Sequence, residues 1–473
     1  MAQGTGLDGG AVDEMQRSFL GELVRPGDVT YNEHRKVWNG SIDRHPALIA
    51  RCTGVADIRA ALRLARSQDL RVAVRGGGHS FPGLSVCDGG MVIDLGPMKR
   101  IQVNPEARTA RVQAGVLLGE LDRETQEFGL AVPSGIVTHT GVAGLTLGGG
   151  IGWVMRKYGL TIDQLLSVDL VTADGETVRA SEDQNPDLFW GVRGGGGNFG
   201  IVTSFEFKVH PLGEVLAGLT LHPIERGREA LRFWRGFELK APQEVTDAAL
   251  IFKPPADLPV PDVLRAGAVG LGGVFSGPLE TAERVLRPLR EFGPPTADTY
   301  QAMPYSAAQT MADFLWPRGR FNYWKSGYLK ALSDEVIDVL LAAFVKAPSE
   351  HTVIVLEHNG HGAMERVPED ATAFGDRGWP FNLLVTSAWT GAAESEANVR
   401  WTRELWSAVQ PFLSPSVYVN YLGEQSPELV RAAYGKKYER LVALKDKYDP
   451  TNFFCMNQNI RPSSGPAAVA RSA

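Results

Sequence analysis

Three glycine clusters in the first half of the chain limit most strongly what it can fold into. The first reads RGGGHS from Arg75 to Ser80, the second GVAGLTLGGGIGW from Gly141 to Trp153, and the third RGGGGNFGIVTSFEF from Arg193 to Phe207. Successive glycines let the backbone turn its amides inward and form a concavity that binds anions such as a pyrophosphate. Three such loops in one part of the sequence predict a single large ligand.

Two common interpretations of such clusters fit poorly. The glycine spacing from Gly195 to Gly200 imitates a nicotinamide-dinucleotide fingerprint, but the alternating pattern from Ile201 to Val209 predicts a strand where that fold needs a helix. The run from Gly78 to Ser80 imitates the start of a serine-hydrolase elbow, but Pro82 stands where the elbow needs a glycine. The hydrolase interpretation is therefore the weaker alternative.

The rest of the pattern predicts two regions of mixed secondary structure. Helical spacing from Val55 to Ala65 precedes a strand that leads into the first cluster, and Met91–Leu95 reads as another strand. After about Leu212, helical patterns alternate with strands such as Thr352–Leu356 and Phe381–Ala388. This predicts a strand-rich α+β domain followed by a second domain of sheet and helices.

Charge and cysteine usage exclude several classes of function. The formal net charge of −6 is spread over interspersed acids and bases, so no basic field exists to bind nucleic acid or an anionic membrane. The N-terminal residues lack a signal-peptide pattern and no apolar run is long enough to span a bilayer, which predicts a cytoplasmic protein. The separated Cys52, Cys87 and Cys455 argue against a disulfide framework and a structural zinc site.

At the glycine clusters the sequence resembles the vanillyl-alcohol oxidase superfamily, specifically berberine-bridge-enzyme-like FAD oxidases with the p-cresol methylhydroxylase type of flavin domain. The similarity spans most of residues 44–460 and is weakest in the middle. It rests on the segments RHPALIARCTGVADIRAAL, RVAVRGGGHS, CDGGMVIDL, SGIVTHTGVAGLTLGGGIGW, NPDLFWGVRGGGGNFGIVTSFEF and YGKKYERLVALKDKYDPTNFFCMNQNI.

The resemblance implies an α+β architecture in which a two-part FAD-binding domain carries an inserted antiparallel-sheet substrate domain flanked by helices. The expected bounds are residues 1–213 for the FAD-binding domain, 214–417 for the substrate domain and 418–462 for a C-terminal segment that returns to the flavin. The tail at 463–473, rich in Pro, Ser and Ala, is predicted to be disordered.

The resemblance also implies that FAD is bound covalently through His79. A neutral imidazole nitrogen can attack the electrophilic form of the flavin 8-methyl carbon, whereas imidazolium cannot. Val137 stands where many relatives carry a second linking cysteine, so a single covalent link is expected. The expected flavin contacts are Arg75, Gly76, Gly77, Gly78, His79, Ser80, Gly135, Thr140, Gly141, Gly144, Gly148, Gly149, Gly200, Ile201, Val202, Asn457 and Asn459.

For catalysis the resemblance points to Thr140 and to two tyrosines. Small residues around Gly135 and Thr140 accompany oxidases in the family, which favours O2 as the electron acceptor and hydrogen peroxide as a product. The usual base position carries Asn382, which has no useful proton affinity. Tyr418 and Tyr421 have the spacing of the family's paired tyrosines and are better candidates, because a perturbed phenol can act as acid or base.

Two other groups carry weaker signals. Glu357, His358 and His361 occur together in LEHNGHGAM, but without a fixed helical spacing, so a polar strand end is favoured and no metal site is predicted. Tyr323 and Lys325 are candidates for the wall of the substrate cavity.

The leading interpretation is a flavin-dependent oxidase of a small alcohol, amine or natural-product intermediate. A dehydrogenase with a quinone or another acceptor, an oxygenating tailoring enzyme that uses a flavin–oxygen adduct, and a flavin-carrying binding protein with a decayed active site are the alternatives. Peroxide yield, incorporation of labelled oxygen and photoreduction without turnover separate them. The substrate depends on a pocket built from nonlocal residues.

Overall fold

The structure is a computed structural model that describes residues 7–423 and 426–464, and its N-terminal part is built on short strands. These strands are β1 (Glu22–Val24), β2 (Leu48–Arg51), β3 (Val72–Arg75), β4 (Met91–Asp94), β5 (Ile101–Asn104), β6 (Thr109–Gln113), β7 (Leu130–Ala131), β8 (Leu165–Val171), β9 (Thr177–Ser181), β10 (Ile201–Lys208) and β11 (His210–Pro211).

These strands form two main sheets in this part of the described chain. The first has the order β1-β2-β4-β3, in which β2, β4 and β3 run parallel and β1 is antiparallel. The second is antiparallel with the order β5-β6-β10-β8-β9, and β7 pairs with β11. The first glycine cluster leaves the end of β3, and the third leads into β10.

The helices of this part pack against the sheets and connect them. They are α1 (Gly9–Gln16), α2 (Tyr31–His34), α3 (Val55–Ser67), α4 (Leu118–Gln126), α5 (Val142–Gly148), α6 (Met155–Tyr158) and α7 (Pro186–Val192). In α3, the apolar Ile58, Leu62 and Ala65 are buried in the same core as Val72 and Ile93 of the first sheet. That burial follows the helical spacing in the sequence and fixes the start of the first glycine cluster.

A larger antiparallel sheet fills the middle of the chain. Its strands are β12 (Glu214–Pro223), β13 (Val245–Phe252), β14 (Ala268–Phe275), β15 (Ala297–Asp298), β16 (Gln301–Pro304), β17 (Phe321–Leu329), β18 (Val353–His358) and β19 (Phe381–Trp389). They follow the order β15-β12-β14-β13-β18-β19-β17, and β16 also pairs with β12.

The two faces of this sheet meet different partners. The helices of this region are α8 (Gly227–Glu238), α9 (Leu279–Glu291), α10 (Tyr305–Ala308), α11 (Asp334–Phe344), α12 (Ala363–Arg366) and α13 (Ser395–Val409). Leu383 and Val385 pack with α8, α11 and α13 in one core, whereas Leu384 between them packs in another core with Trp38 and Val137. Because side chains alternate along a strand, one face is covered by helices and the other faces the N-terminal part.

The C-terminal segment returns to the third glycine cluster. It contains α14 (Pro427–Tyr434) and α15 (Tyr438–Tyr448), whose Leu441 and Leu444 lie in the core of the N-terminal part. Asn198 then holds the chain end: its Nδ2 donates to the Gln458 carbonyl at 3.1 Å, and its Oδ1 accepts from the Ile460 amide at 3.0 Å. The predicted α+β fold is confirmed, whereas the exact domain bounds stay a prediction.

Short 3-10 helices complete the connections, at Thr161–Gln164, Ile224–Arg226, Asp262–Leu264, Gln309–Leu315, Glu369–Ala371, Ala392–Glu394, Gln410–Phe412, Val419–Tyr421 and Gly435–Lys437. Of the predicted disordered tail, Ser463 and Ser464 form a turn and Ser463 bonds the Asp446 carboxylate, while residues 465–473 lie outside the described part. No helix in the described ranges has the length and apolar character needed to cross a membrane.

Candidate active site

One cavity of about 310 Å³ brings the glycine clusters together with the large sheet and the C-terminal segment. It collects residues that are hundreds of positions apart in the sequence around one space, in agreement with the predicted single large ligand. The predicted site residues that line it are Gly76, Gly77, Gly78, His79, Ser80, Gly135, Thr140, Gly141, Gly144, Gly148, Gly200, Ile201, Val202, Tyr418, Tyr421 and Asn457.

The first two glycine clusters touch through their backbones. A Cβ atom added to Gly77 would lie 2.4 Å from the amide nitrogen of Gly141, and one added to Gly141 would lie 2.3 Å from that of Gly77. Neither position tolerates a side chain, so the close approach itself requires glycine. At Gly78 the φ angle of 68° places the chain in the left-handed region just before His79, which favours glycine for a second reason.

Three predicted flavin contacts do not line this cavity. Arg75 forms a two-point ion pair with Asp94, at 3.1 and 2.8 Å, which ties the start of the loop to β4. Gly149 packs behind the loop, where an added Cβ would lie 2.6 Å from the Phe374 ring. Asn459 does not line the cavity either, and its buried Oδ1 has no hydrogen-bond partner in the described part of the chain. Their assignment as flavin contacts stays a prediction.

His79 presents a buried imidazole to the cavity. Its ring stacks on the indole of Trp38 with centroids 4.5 Å apart and an interplanar angle of 23°, and the His139 ring lies 5.1 Å away. Burial holds the pKa of His79 well below its usual value of 6.5, and the nearby His139 and Arg318 lower it further. The imidazole is therefore neutral at physiological pH, as a nucleophilic nitrogen must be.

A chain of hydrogen bonds runs from the cavity into the large sheet. The Tyr421 hydroxyl donates to Oε1 of Glu357 at 2.9 Å, and Nδ2 of Asn382 donates to the other oxygen, Oε2, at 2.7 Å. Ser326 in turn donates to Oδ1 of Asn382 at 3.1 Å. Glu357 and Asn382 are register partners on β18 and β19, so strand pairing itself sets this contact. The position occupied by Asn382 thus supports a carboxylate from the adjacent strand.

Burial also tunes this chain. It raises the pKa of Glu357 above its usual value of 4.5, against the hydrogen bonds from Asn382 and Tyr421, which lower it. The pKa of Tyr421 is raised well above 10 by burial and then by the neighbouring Glu357 charge. A free phenolate at Tyr421 is therefore unfavourable, whereas Glu357 is a good final acceptor for a proton passed through the phenol.

Tyr418 occupies a different environment. Its hydroxyl oxygen accepts hydrogen bonds from the Gly150 amide at 2.9 Å and from Nδ2 of Asn420 at 2.8 Å. Burial raises its pKa to about 12 despite these donors. The two tyrosine rings meet edge to face with centroids 4.8 Å apart. Both predicted tyrosines are at the cavity, but Tyr421 is the one that contacts a proton acceptor.

Aromatic and aliphatic side chains form much of the remaining wall. Trp324, on β17, stacks on Phe81 at 5.1 Å and lines the cavity with Trp316 and Leu384. The expectation that Tyr323 and Lys325 line it is wrong, because side chains alternate along β17. Tyr323 accepts a hydrogen bond from Arg403 of α13 on the opposite face.

Glu357 and His358 lie on opposite faces of β18, and His361 follows the end of this strand. Glu357 contacts Tyr421 of the cavity wall, whereas His358 contacts Glu238 of α8 on the helix-covered face. Within the described ranges, no group of three or more His, Cys, Asp or Glu residues is arranged to hold a metal ion. The cysteines in those ranges are free thiols.

The loop that contains Ser134, Gly135 and Thr140 is held by a residue of the inserted region. Nε2 of Gln309 donates to the Gly135 carbonyl at 3.0 Å and to the Ser134 hydroxyl at 3.1 Å. The backbone of Thr140 is held as well, since its carbonyl accepts from the Leu118 amide at 2.9 Å. The Thr140 side chain can therefore be changed without freeing the loop.

The residues fit a flavin dinucleotide. A Cβ added to Gly144 or Gly197 would meet no protein atom within 4 Å, so at both places the backbone itself forms the wall of the cavity. Such a bare backbone can approach a pyrophosphate closely. His79 lies at the same cavity with a buried Nε2 that has no partner among the described residues. The glycine loops would hold the phosphates, and Tyr418 and Tyr421 would lie beside the reacting end.

The sequence did not reveal three contributors to this site. The position of Glu357 could have been predicted in part, because it alternates with Val353 and Val355 and so lies on the same face of its strand. Its contact with Tyr421 is nonlocal and could not be predicted. Nothing in the sequence indicated a role for Trp38 or Trp324, since a tryptophan in a loop or strand is usually interpreted as part of the hydrophobic core.

Comparisons with known proteins agree with this geometry. The chain matches the family model for an FAD binding domain over residues 46–181 and that for berberine and berberine-like proteins over residues 417–461. An FAD-linked oxidoreductase of Dictyostelium discoideum is 32% identical over 95% of this chain and 97% of its own length. The (R)-6-hydroxynicotine oxidase of Paenarthrobacter nicotinovorans is 33% identical over 94% and 97%, respectively.

The solved structures show the same relationship. The 6-hydroxy-D-nicotine oxidase from Arthrobacter nicotinovorans matches with a TM-score of 0.86 and 29% identity, covering 94% of this chain and 99% of that one. A berberine-bridge-enzyme-like protein of Physcomitrella patens, at 24% identity and a TM-score of 0.85, shares the fold. With its glycine loops, its C-terminal return and relatives that match along almost the whole length, the chain belongs to the berberine-bridge-enzyme-like family of FAD-linked oxidoreductases.

Proposed function

We propose that this protein is an oxidase that carries FAD on a single covalent bond to His79, oxidises a small organic alcohol or amine, and reduces O2 to hydrogen peroxide. The observation that carries the proposal is that one cavity contains a neutral imidazole, a glycine cradle and a tyrosine hydrogen-bonded to a buried carboxylate. When bound, the flavin supplies the two-electron chemistry by accepting a hydride from the substrate carbon.

The protein's part in this reaction is to remove the substrate proton. Tyr421 lines the cavity, so its hydroxyl can accept the proton of a substrate hydroxyl or amine while its own proton passes to Glu357. Asn382 holds Glu357 through its second oxygen, which keeps the carboxylate directed at Tyr421. General-base assistance of this kind typically accelerates a reaction by about 10²–10⁴-fold.

The cavity wall favours an uncharged ring as substrate. Trp316, Trp324 and Leu384 supply flat or apolar surface, and Glu357 lies behind Tyr421. Two relatives are named for ring compounds that bear a hydroxyl group, 6-hydroxynicotine and monolignols. These names agree with a ring compound as substrate. We therefore expect a planar, hydroxylated or aminated ring compound to be the better substrate class.

Oxygen as the acceptor is supported by the residue beside the flavin loop. Thr140 lines the cavity and is no larger than valine, and Gly135 on the same loop has no side chain. The small Thr140 side chain leaves room for O2 to approach. Val137, which also lines the cavity, offers no sulfur for a second flavin bond, and this agrees with a single link through His79.

The test combines mapping of the flavin with measurement of the product. Purified protein is denatured in acid, and peptide mass spectrometry locates any bound FAD, with His79→Ala as the matched control. The loaded enzyme is then mixed with ring alcohols under labelled O2. FAD on the His79 peptide, one peroxide per product and no label in the product support the proposal. Release of all flavin, electron transfer only to quinones, or labelled product each contradicts the corresponding part.

A further inference from the structure

The imidazole plane of His79 is held by a hydrogen bond to its own backbone and by contacts from other residues. The χ2 torsion of histidine has broad, roughly two-fold minima, so the rotamer alone does not set the direction of the ring. The lone pair that attacks a carbon atom lies in the ring plane, and its direction therefore changes with χ2. His79 Nε2 is buried and has no hydrogen-bond partner in the described part of the chain, so no hydrogen bond at that nitrogen holds the plane.

Trp38 provides such a contact. Its indole, fully buried, stacks on the His79 ring at 4.5 Å with only 23° between the planes. Its backbone amide also donates to the Gly78 carbonyl at 2.9 Å, immediately before His79. One residue therefore contacts both the loop and the ring.

Trp38 is in turn fixed by the inserted region. Its Nε1 donates to the Trp316 carbonyl at 2.8 Å, and the Gly319 amide donates to the Trp38 carbonyl at 2.9 Å. Between these two contacts, Arg318 donates to the carbonyls of Gly77 and His139, at 2.9 and 3.0 Å. The segment Trp316–Gly319 thus joins Trp38 and both neighbouring flavin loops.

We propose that Trp38 is a positioning residue for flavin attachment, which helps to fix the imidazole plane of His79 and is itself held in place by the segment Trp316–Gly319. This inference rests on the proposed covalent bond.

The chemical step itself balances with O2 as the oxidant of the proposed function. Bond formation replaces one C–H bond of the flavin 8-methyl group and the N–H bond of the imidazole with one C–N bond. Two electrons pass to the flavin ring system, and O2 takes these electrons and two protons as hydrogen peroxide. Trp38 takes no part in the bonding, and its effect is on the alignment of the reacting nitrogen.

The test measures attachment rather than turnover. Full-length Trp38→Leu and Trp38→Phe proteins are compared with wild type for the covalent flavin fraction after acid precipitation, and for the attachment rate when FAD is added to flavin-free protein. We expect Trp38→Leu to attach FAD ~10- to 100-fold more slowly, the range that small misplacements of reacting groups produce. Trp38→Phe keeps a stacking ring and should approach the wild-type rate.

Matched controls separate alignment from folding. Trp401→Phe changes a buried tryptophan on α13, whose Nε1 donates to the Ala343 carbonyl at 3.0 Å on the helix-covered face, and should attach FAD normally. Circular dichroism and reversible FAD binding show whether Trp38→Leu is folded. If folded Trp38→Leu attaches FAD at the wild-type rate, or if Trp38→Phe is as slow as Trp38→Leu, the inference is wrong. If wild type itself carries no covalent FAD, the proposed function fails first.

Discussion

The Tyr421 hydroxyl lies 2.9 Å from Oε1 of Glu357, although the two residues are 64 positions apart in the sequence. Tyr421 belongs to the C-terminal return and lines the cavity, whereas Glu357 belongs to β18 of the inserted sheet. The proposed proton acceptor is therefore assembled from two parts of the chain. Neither residue performs this role alone. Deprotonation of Tyr421 to a phenolate is unfavourable, and Glu357 lies behind Tyr421 and does not line the cavity.

The first prediction concerns this pair. Glu357→Gln keeps the shape of the side chain but removes the proton acceptor, and we expect anaerobic flavin reduction by substrate to slow by about 10²–10⁴-fold. Tyr421→Phe should slow it to a similar degree, and the double variant should be little worse, since the two residues act as one unit. Stopped-flow absorbance of the flavin measures the rate.

A matched control uses a tyrosine outside the cavity. Tyr323→Phe removes a hydroxyl that contacts Arg403 on the opposite face of β17. In this variant, substrate should reduce the flavin at the wild-type rate. Covalent flavin should remain in all of these variants. Reduction of Glu357→Gln at the wild-type rate would show that another group accepts the proton.

The second prediction is a pH dependence. Burial raises the pKa of Glu357 above 4.5, so as the pH falls the carboxylate becomes protonated and stops accepting protons at a higher pH than an exposed glutamate would. The reduction rate should therefore fall on the acid side, with a midpoint above 4.5. In Glu357→Gln this acid limb should disappear, leaving a low rate that is flat over the same range. An unchanged limb in that variant would assign it to the substrate or to another residue.

How far the sequence predicted this site depends on how local each part is. The glycine loops and His79 were predictable, because a run of glycines after a strand has a conformational meaning within a few residues. The Glu357 contact was not, since it depends on the pairing of β18 with β19 and on the return of the C-terminal segment. Arg75 is another nonlocal case: the sequence did not reveal its ion pair with Asp94 on the paired strand, and its assignment as a flavin contact stays a prediction.

The third prediction separates the two tyrosines. Tyr418→Phe removes the acceptor of the Gly150 amide, which is left unpaired, and one of the two acceptors of Nδ2 of Asn420, which keeps the Leu145 carbonyl. We expect a loss of about 1–3 kcal/mol in the free energy of unfolding, and a smaller effect on flavin reduction than Tyr421→Phe has. Chemical denaturation and stopped-flow reduction measure the two effects. A larger rate effect from Tyr418→Phe would reverse the assignment of the proton acceptor.

The fourth prediction concerns the approach of O2. Thr140→Leu adds bulk to the cavity while the backbone bond from Leu118 to the Thr140 carbonyl is kept. Reoxidation by O2 should slow by about tenfold or more, which corresponds to ~1.4 kcal/mol on the barrier. The anaerobic reduction rate should change much less. Thr140→Ala is the control and should reoxidise at least as fast as wild type; equal reoxidation by all three proteins would place the oxygen path elsewhere.

The fifth prediction concerns Arg156, which joins α6 to the inserted region. Its guanidinium is fully buried and donates to the carbonyls of Gly360, Val245 and Ala241 at 3.0, 2.5 and 3.1 Å. Arg156→Met leaves these acceptors unpaired and removes the charge that lies 3.7 Å from the buried Glu238 carboxylate, and we expect a loss of about 3–5 kcal/mol in the free energy of unfolding. Arg400→Met, at an exposed ion pair on α13, should cost at most ~1 kcal/mol. Similar denaturation midpoints for both variants would show that Arg156 does not stabilise this contact between the two regions.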